Sequence, residues 1–223
     1  MDIQKFISRE KARGDCFRLL SACFYQPHKE AFIQEEFFKN LEALLTQAVP
    51  DAAAHVSAMG KAFMKYSEED LLVDYARLFV GPAELLAPPY GSIYLDGEKK
   101  VMGDSTMEVI KIYEAQGLAM DSEFNNLPDH ITAELEFMYY LIFKEIEALE
   151  RSETGKAIEL INTQELFLNN FLKRWVKPFC GKIKQGASGE YYRALADCVS
   201  AFIESPQHSD NIPVELRATI TQN

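Results

Sequence analysis

The sequence is short of the residues that do chemistry. It holds four cysteines, four histidines and one tryptophan in 223 residues. Cys16, Cys23, Cys180 and Cys198 include no C-x-x-C pair, so neither a zinc site nor a dithiol redox motif is supported. Cys16 and Cys23, seven apart in a helical pattern, share a face as small buried hydrophobes do. His130-x-x-x-Glu134 has the i, i+4 spacing of a ligand pair, but His28, His55 and His208 lack supporting partners, so no metal is expected. The glycines form neither a Walker loop nor a dinucleotide fingerprint, and no cofactor is expected. Glu134 and Glu136 point to different sides of a helix, and no nucleophile–base–orienter set is visible. The expected catalytic inventory is empty, and the chain reads as a non-enzyme.

Long apolar runs are also missing. No uncharged stretch reaches the roughly 18 residues of a membrane span. The opening MDIQKFISREKARGD lacks a basic segment followed by an apolar one, so no secretory signal is expected and a cytoplasmic location is. Positive charge is outnumbered, with 23 Lys and Arg against 34 Asp and Glu for a net charge of −11. That balance disfavours nucleic acid and anionic membrane, which attract basic surfaces, and favours cationic partners.

What the chain does have is helical periodicity. Apolar residues recur at three and four throughout, and long period-2 runs are absent, so the expected class is all-α. The length suits one domain over 1–223, with two tightly joined helical lobes as a variant. A first helix is expected over Ile3–Tyr25, ended by Pro27, and a second over Lys29–Ala48, broken by Pro50. Asp51–Tyr66 can form a third. Ser67 before Glu68, Glu69 and Asp70 is an N-cap with three favourable carboxylates for a helix over Leu71–Val80. Ser105-x-x-Glu108 reads as a capping box opening Thr106–Ala115. Asp129 is the expected cap of Ile131–Glu150, whose Ile131, Leu135, Met138, Ile142, Ile146 and Leu149 mark a buried central helix. A further helix runs from Ile158 to Trp175, kinked or ended by Pro178, and the last long one over Ser188–Ile203. A polar tail begins near residue 205, where Pro213–Ile220 adds a turn or two. The only strand-like segment is Ile93–Met102, with Asp96-Gly97 placed to turn a small hairpin.

The most informative stretch is Tyr75 to Asp104, YARLFVGPAELLAPPYGSIYLDGEKKVMGD. A helical run stops at Gly81-Pro82, and a long ordered loop (about 81–103) follows, rich in Leu85, Leu86, Pro88, Pro89, Tyr90, Ile93 and Tyr94. Prolines stiffen it, and irregular segments of this length in compact domains are usually functional. A stiff aromatic loop suits a groove for a peptide.

The run LFVGP…APPYGSIYLD, then GDST, then PDHITAELEFMYYL at Pro128–Leu141, resembles the TorD/DmsD family of redox-enzyme maturation chaperones, most closely its DmsD-like branch. A weaker echo, FLNNFLKRWVKPFC, lies at Phe167–Cys180. The resemblance implies a cytoplasmic all-helical bundle. It would bind the twin-arginine leader and the body of a molybdopterin-dependent oxidoreductase subunit, delaying export until the cofactor is inserted. Contact with the export machinery, and a monomer or a domain-swapped dimer, are both compatible with it. The implied peptide-binding residues are Leu78, Phe79, Glu84, Pro89, Tyr90, Ser92, Ile93, Tyr94, Asp129 and His130.

Two departures stand out: Tyr90 where many relatives carry Trp, and Phe171 where relatives carry His, so Phe171 and Trp175 read as packing. Glu84 is a candidate partner for a leader arginine; Asp96, Glu98 and Asp104 are similar but weaker ones. The alternatives are a NarJ-like assembly chaperone for a non-exported molybdoenzyme, and a small helical enzyme or nucleotide-binding protein.

Overall fold

The computed structural model describes residues 2–82, 84–97, 101–119 and 127–206, together with Pro213 and Leu216. Among them every regular element is helical, and the only β-type pairing is an isolated antiparallel bridge between Tyr90 and His130. The helices are α1 (Ile3–Ala22), α2 (Lys29–Gln34), α3 (Phe37–Ala48), α4 (Pro50–Ala53), α5 (Val56–Lys65), α6 (Glu68–Tyr75), α7 (Ser92–Leu95), α8 (Asp104–Ala115), α9 (Ile131–Glu150), α10 (Thr154–Phe167), α11 (Lys173–Gly186) and α12 (Glu190–Glu204). Two π-turns, Ala76–Val80 and Leu168–Leu172, join α6 to the loop and α10 to α11.

The central helix is the one its periodicity marked. Helix α9 packs between α1 and α10, while α12 packs on α5 and α11. Aromatic pairs tie these layers together. Phe17 of α1 meets Phe202 of α12 edge-on at 4.7 Å, and Phe137 of α9 meets Tyr113 of α8 at 4.4 Å and Phe167 of α10 at 4.9 Å. Each such pair is worth roughly 0.5–1.5 kcal/mol beyond the area it buries. All four cysteines are free and buried, and burial raises every thiol pKa, which makes them inert packing groups.

Several expected boundaries move. The helix read over Lys29–Ala48 is two, α2 and α3, because Glu36 takes a left-handed conformation with φ 48°. Asp51–Tyr66 likewise divides into α4 and α5. Ser67 does cap α6, in a reciprocal box with Asp70, and the helix begins at Glu68 rather than Leu71. Pro178 neither ends nor interrupts α11: Trp175, Val176, Phe179, Cys180 and Ile183 face the core, while Pro178 faces solvent, where a lost backbone bond is made good by water. The hairpin expected over Ile93–Met102 is instead the helical turn α7, as far as the described residues reach; residues 98–100, Glu98 included, lie outside them. Most of Pro213–Ile220 also lies outside, though Leu216 packs on Phe6 and Ile161.

A buried ionic layer crosses the α1–α9–α10 seam. Glu10, Arg13, Glu145 and Gln164 are all fully buried. Arg13 donates through Nε to Glu10 Oε2 at 2.8 Å and through Nη2 to Gln164 Oε1, and Gln164 Nε2 donates to Glu145 Oε2 at 2.8 Å. Burial, then the charge of Glu10, pushes the Glu145 carboxyl up to about 8. The layer thus sets one guanidinium against two buried acids, of which Glu145 holds its proton more tightly than a free carboxyl does.

Candidate functional site

The loop that follows α6 is held at both ends by backbone bonds. In the π-turn the Gly81 N–H reaches back five residues to the Ala76 carbonyl at 2.9 Å. The Arg77 and Leu78 carbonyls then accept from Leu86 and Ala87 N–H at 3.3 and 3.0 Å, folding the loop onto its own stem. Such π insertions recur at functional sites because they re-aim side chains without ending a helix.

Farther on, the loop is riveted to the start of α9. Ile131 N–H donates to the Pro89 carbonyl at 2.9 Å, Gly91 N–H to the Asp129 carbonyl at 2.8 Å, and Ser92 N–H to Asp129 Oδ2 at 2.8 Å. The residue at position 91 must be small. A Cβ there would come within 3.1 Å of Glu134 Oε1 and 3.2 Å of Trp175 Nε1.

Asp129 and His130 therefore exchange the roles expected of them. Asp129 offers its carboxylate to the N-terminus of α7, and His130 caps α9 because it is the residue with extended φ and ψ (−71°, 142°). His130 Nδ1 accepts from Thr132 N–H at 3.2 Å and lies 2.7 Å from Thr132 Oγ1. The Tyr90 ring meets the imidazole edge-on at 5.3 Å. Burial pushes the His130 imidazole down to about 4, against the opposing pull of Asp129.

A lowered folded pKa means that the unfolded chain takes up a proton first. His130 thus contributes stability that is present above pH 6.5 and lost as pH falls toward 4, worth roughly 3 kcal/mol over that window. His130→Asn keeps a capping acceptor and removes the titration. The wild-type-minus-variant unfolding free energy, measured in urea from pH 7 to 4, should fall by that amount; a flat difference would show that the imidazole is not buried neutral.

Beneath the loop, the Trp175 indole N–H donates to Glu134 Oε2 at 2.8 Å, and Tyr94 stacks on the indole at 5.7 Å while donating its hydroxyl to the Pro88 carbonyl at 2.9 Å. Glu134 is fully buried, and burial lifts its carboxyl well above the ordinary range, favouring the neutral acid. Trp175 thus has the polar role that the sequence reading withheld from it, while Phe171 does pack in the core. The signal for Glu134 was present: it stands three residues after Ile131 and four before Met138, inside the apolar stripe of α9.

Of the residues expected at a peptide surface, Pro89, Tyr90, Ser92, Tyr94, Asp129 and His130 come together in this layer. Pro89, Ser92, Asp129 and His130 are buried within it, while Tyr90, Tyr94 and Ile93 are half-buried at its face. Leu78 and Phe79 are core instead. Phe79 is enclosed by Phe24, Tyr75, Phe179 and Tyr192 rings at 5.6–6.0 Å, because the π-turn rotates it inward. Glu84 is exposed on the outer bend and makes no hydrogen bond or ion pair among the described residues. Arg77 is engaged by Ser188 and Asp74.

Asp96 replaces the expected Ser105 box as the cap of α8, accepting from Ser105 N–H and, at 2.9 Å, from Ser105 Oγ. Its approach is so close that any Cβ on Gly103 would strike the carboxylate. Asp104 is the first residue of α8.

The face continues across α1 and α6. Tyr25 is 40% exposed and donates its hydroxyl to Glu136 Oε1 at 2.8 Å; Ser21 Oγ donates to the same oxygen at 3.0 Å. Tyr75 is within electrostatic reach of Tyr25 and Tyr90. The Tyr25 phenol is pushed up to about 12, chiefly by burial and then by its bond to Glu136.

The polar groups of the site are spent on pinning backbone, and its outer face is aromatic. Among the described residues no group of His, Cys, Asp and Glu could hold a metal, and no helix is long and apolar enough to cross a membrane.

Comparison with known proteins agrees. Residues 39–181, more than half of the chain, match the family described as nitrate reductase delta subunit. The chain is 30% identical to the Tat proofreading chaperone DmsD of Salmonella typhimurium, over 73% of this chain and 78% of the relative. It is 28% identical to the chaperone protein TorD of Photobacterium profundum, over 91% and 95%. A crystal structure described as a redox enzyme maturation protein from Archaeoglobus fulgidus, 22% identical, superposes with a TM-score of 0.52 over 88% of this chain and 94% of that one, which shows the fold. The chain belongs to the nitrate reductase delta subunit family, the family of the TorD and DmsD redox-enzyme maturation chaperones. Its relatives are chaperones, not enzymes.

Proposed function

We propose that this protein is a cytoplasmic chaperone, acting as one domain over residues 1–223. It binds the twin-arginine leader and the body of a molybdopterin-dependent oxidoreductase subunit, and delays export until the cofactor is in place. The observation that carries the reading is the partly exposed tyrosine face, with Tyr90 and Tyr94 on a loop riveted to α9 and Tyr25 and Tyr75 beside it. A preformed aromatic surface loses little entropy on binding, so an apolar peptide segment gains most of its contact energy. Affinity then comes from apolar burial, while charge governs encounter and selectivity.

Tyr90→Ala is the direct test, because Tyr90 stands at the surface and Phe79 does not. Calorimetric titration with a synthetic twin-arginine leader peptide of a molybdenum reductase should show saturable binding, lost on scrambling. Tyr90→Ala should weaken it about tenfold to a hundredfold, as for an aromatic anchor. Capture of the leaderless enzyme without any binding of the leader would favour a client that is not exported, the reading suggested by the family's description as a nitrate reductase subunit.

A further inference from the structure

We propose that Glu136 is the receptor for one guanidinium of the twin-arginine pair, an inference that rests on the leader-binding reading above. Glu136 projects from α9 one turn beyond Thr132 and is half-buried. Its Oε1 is taken twice, by the hydroxyls of Tyr25 and Ser21. A carboxylate offers about four acceptor sites, so both sites on Oε2 remain for a partner, and among the described residues no cation lies within ion-pair distance of Glu136. Carboxylates farther along α9 and α1 are satisfied from within the chain: Glu147 by Lys144 and Arg151, Glu150 by Lys11, and Asp15 by Arg18.

The position is also close to the loop. Thr132, whose Oγ1 lies 2.7 Å from His130 Nδ1, stands one helical turn before Glu136, and Tyr25 holds Glu136. An acid with a free oxygen thus stands close behind the site's histidine, and Tyr25 is bonded to it. A guanidinium can stack on a tyrosine face while donating to Oε2; an ammonium can satisfy only one of these contacts well. Glu84 has no such frame. It is exposed, where an ion pair is screened and contributes little. Asp129 and Asp96 are already committed to capping α7 and α8.

The test is a double-mutant cycle by calorimetry, using synthetic twin-arginine leader peptide with each arginine in turn replaced by glutamine. Glu136→Gln retains an oxygen for Tyr25 and Ser21, and thermal unfolding verifies that it is folded. It should bind the unmodified leader about tenfold more weakly, the loss expected for one charge-assisted hydrogen bond. One of the two Arg→Gln peptides should then lose about tenfold against wild type and almost nothing against Glu136→Gln. Equal affinities of wild type and variant, or penalties that simply add, would overturn this assignment while leaving leader binding intact. A wild-type protein that ignores the leader would sink the chaperone reading and this inference together. Should Glu136→Gln not fold, Glu136→Ala with Tyr25→Phe removes the acceptor together with the donor it would orphan, and carries the same expectation.

Discussion

Replacing Trp175 with alanine should lower the unfolding free energy by about 4 kcal/mol, within the roughly 3–5 kcal/mol range of large aromatic truncations in a core. The indole is fully buried, with Tyr94 stacked on one side, Phe179 at 5.3 Å, and Gly91 so close that a Cβ there would stand 3.2 Å from Nε1. Truncation opens a cavity under the loop and deprives Glu134 of its hydrogen-bond donor. Trp175→Phe separates the two effects. It keeps most of the volume and forfeits the N–H, so it should cost about 1–3 kcal/mol, the penalty of leaving a buried polar group unsatisfied. Both are read by urea unfolding followed by circular dichroism, because the chain has no other tryptophan to report by fluorescence. A Trp175→Ala protein within about 1 kcal/mol of wild type would show that the loop does not stand on the indole.

The second large effect is expected far from the loop. Arg13→Met should cost about 3–5 kcal/mol at pH 7, since removing one member of a buried ionic network leaves a charge without compensation. Glu10 is the member most affected, since it loses its 2.6 Å pair with Arg13 while Arg9 stands at 3.9 Å from its other oxygen. Adding Glu10→Gln should restore most of the stability, because neutral, shape-conserving replacements of buried pairs are close to neutral overall.

The sign for Glu145 follows from its raised pKa. The folded form holds the proton longer than the unfolded one, so this group's contribution is full below about pH 4.5 and is lost as pH rises through about 8. Glu145 should therefore make stability fall as pH rises between about 4.5 and 8, a trend that opposes the His130 contribution below pH 6.5 and is unopposed by it from 6.5 to 8. Melting temperatures across pH 5 to 9 measure it. An unchanged melting temperature for Arg13→Met would mean that the buried layer is not the charge network described.

The parts of the fold legible in advance were those set by local periodicity and capping. The central helix spans Ile131–Glu150 as its apolar rhythm indicated, and Ser67 opens α6 because serine followed by three acids satisfies free N–H groups whatever lies nearby. That the loop is held rather than slack could also be seen, since its prolines fix φ. Errors arose where a residue's partner is distant in sequence. Asp129 was assigned to its own helix, yet its carboxylate caps α7, 37 positions away. Ser105 was given a local box, yet Asp96 supplies the cap. Trp175 was read as packing because its acceptor, Glu134, lies 41 residues upstream.

The same division holds for the candidate site. From the sequence alone came the all-α class, the absence of catalytic and metal motifs, and the loop with its Asp-His pair, all properties of single segments or of composition. Only the tertiary structure decided which of those side chains face outward. The π-turn buries Leu78 and Phe79, the Tyr90–His130 bridge turns Tyr90 toward the surface, and α1 brings Tyr25 and Ser21 against Glu136, more than a hundred residues away. Periodicity records how each helix meets its nearest neighbours; which oxygen is left free for a partner depends on contacts between segments that no local pattern encodes.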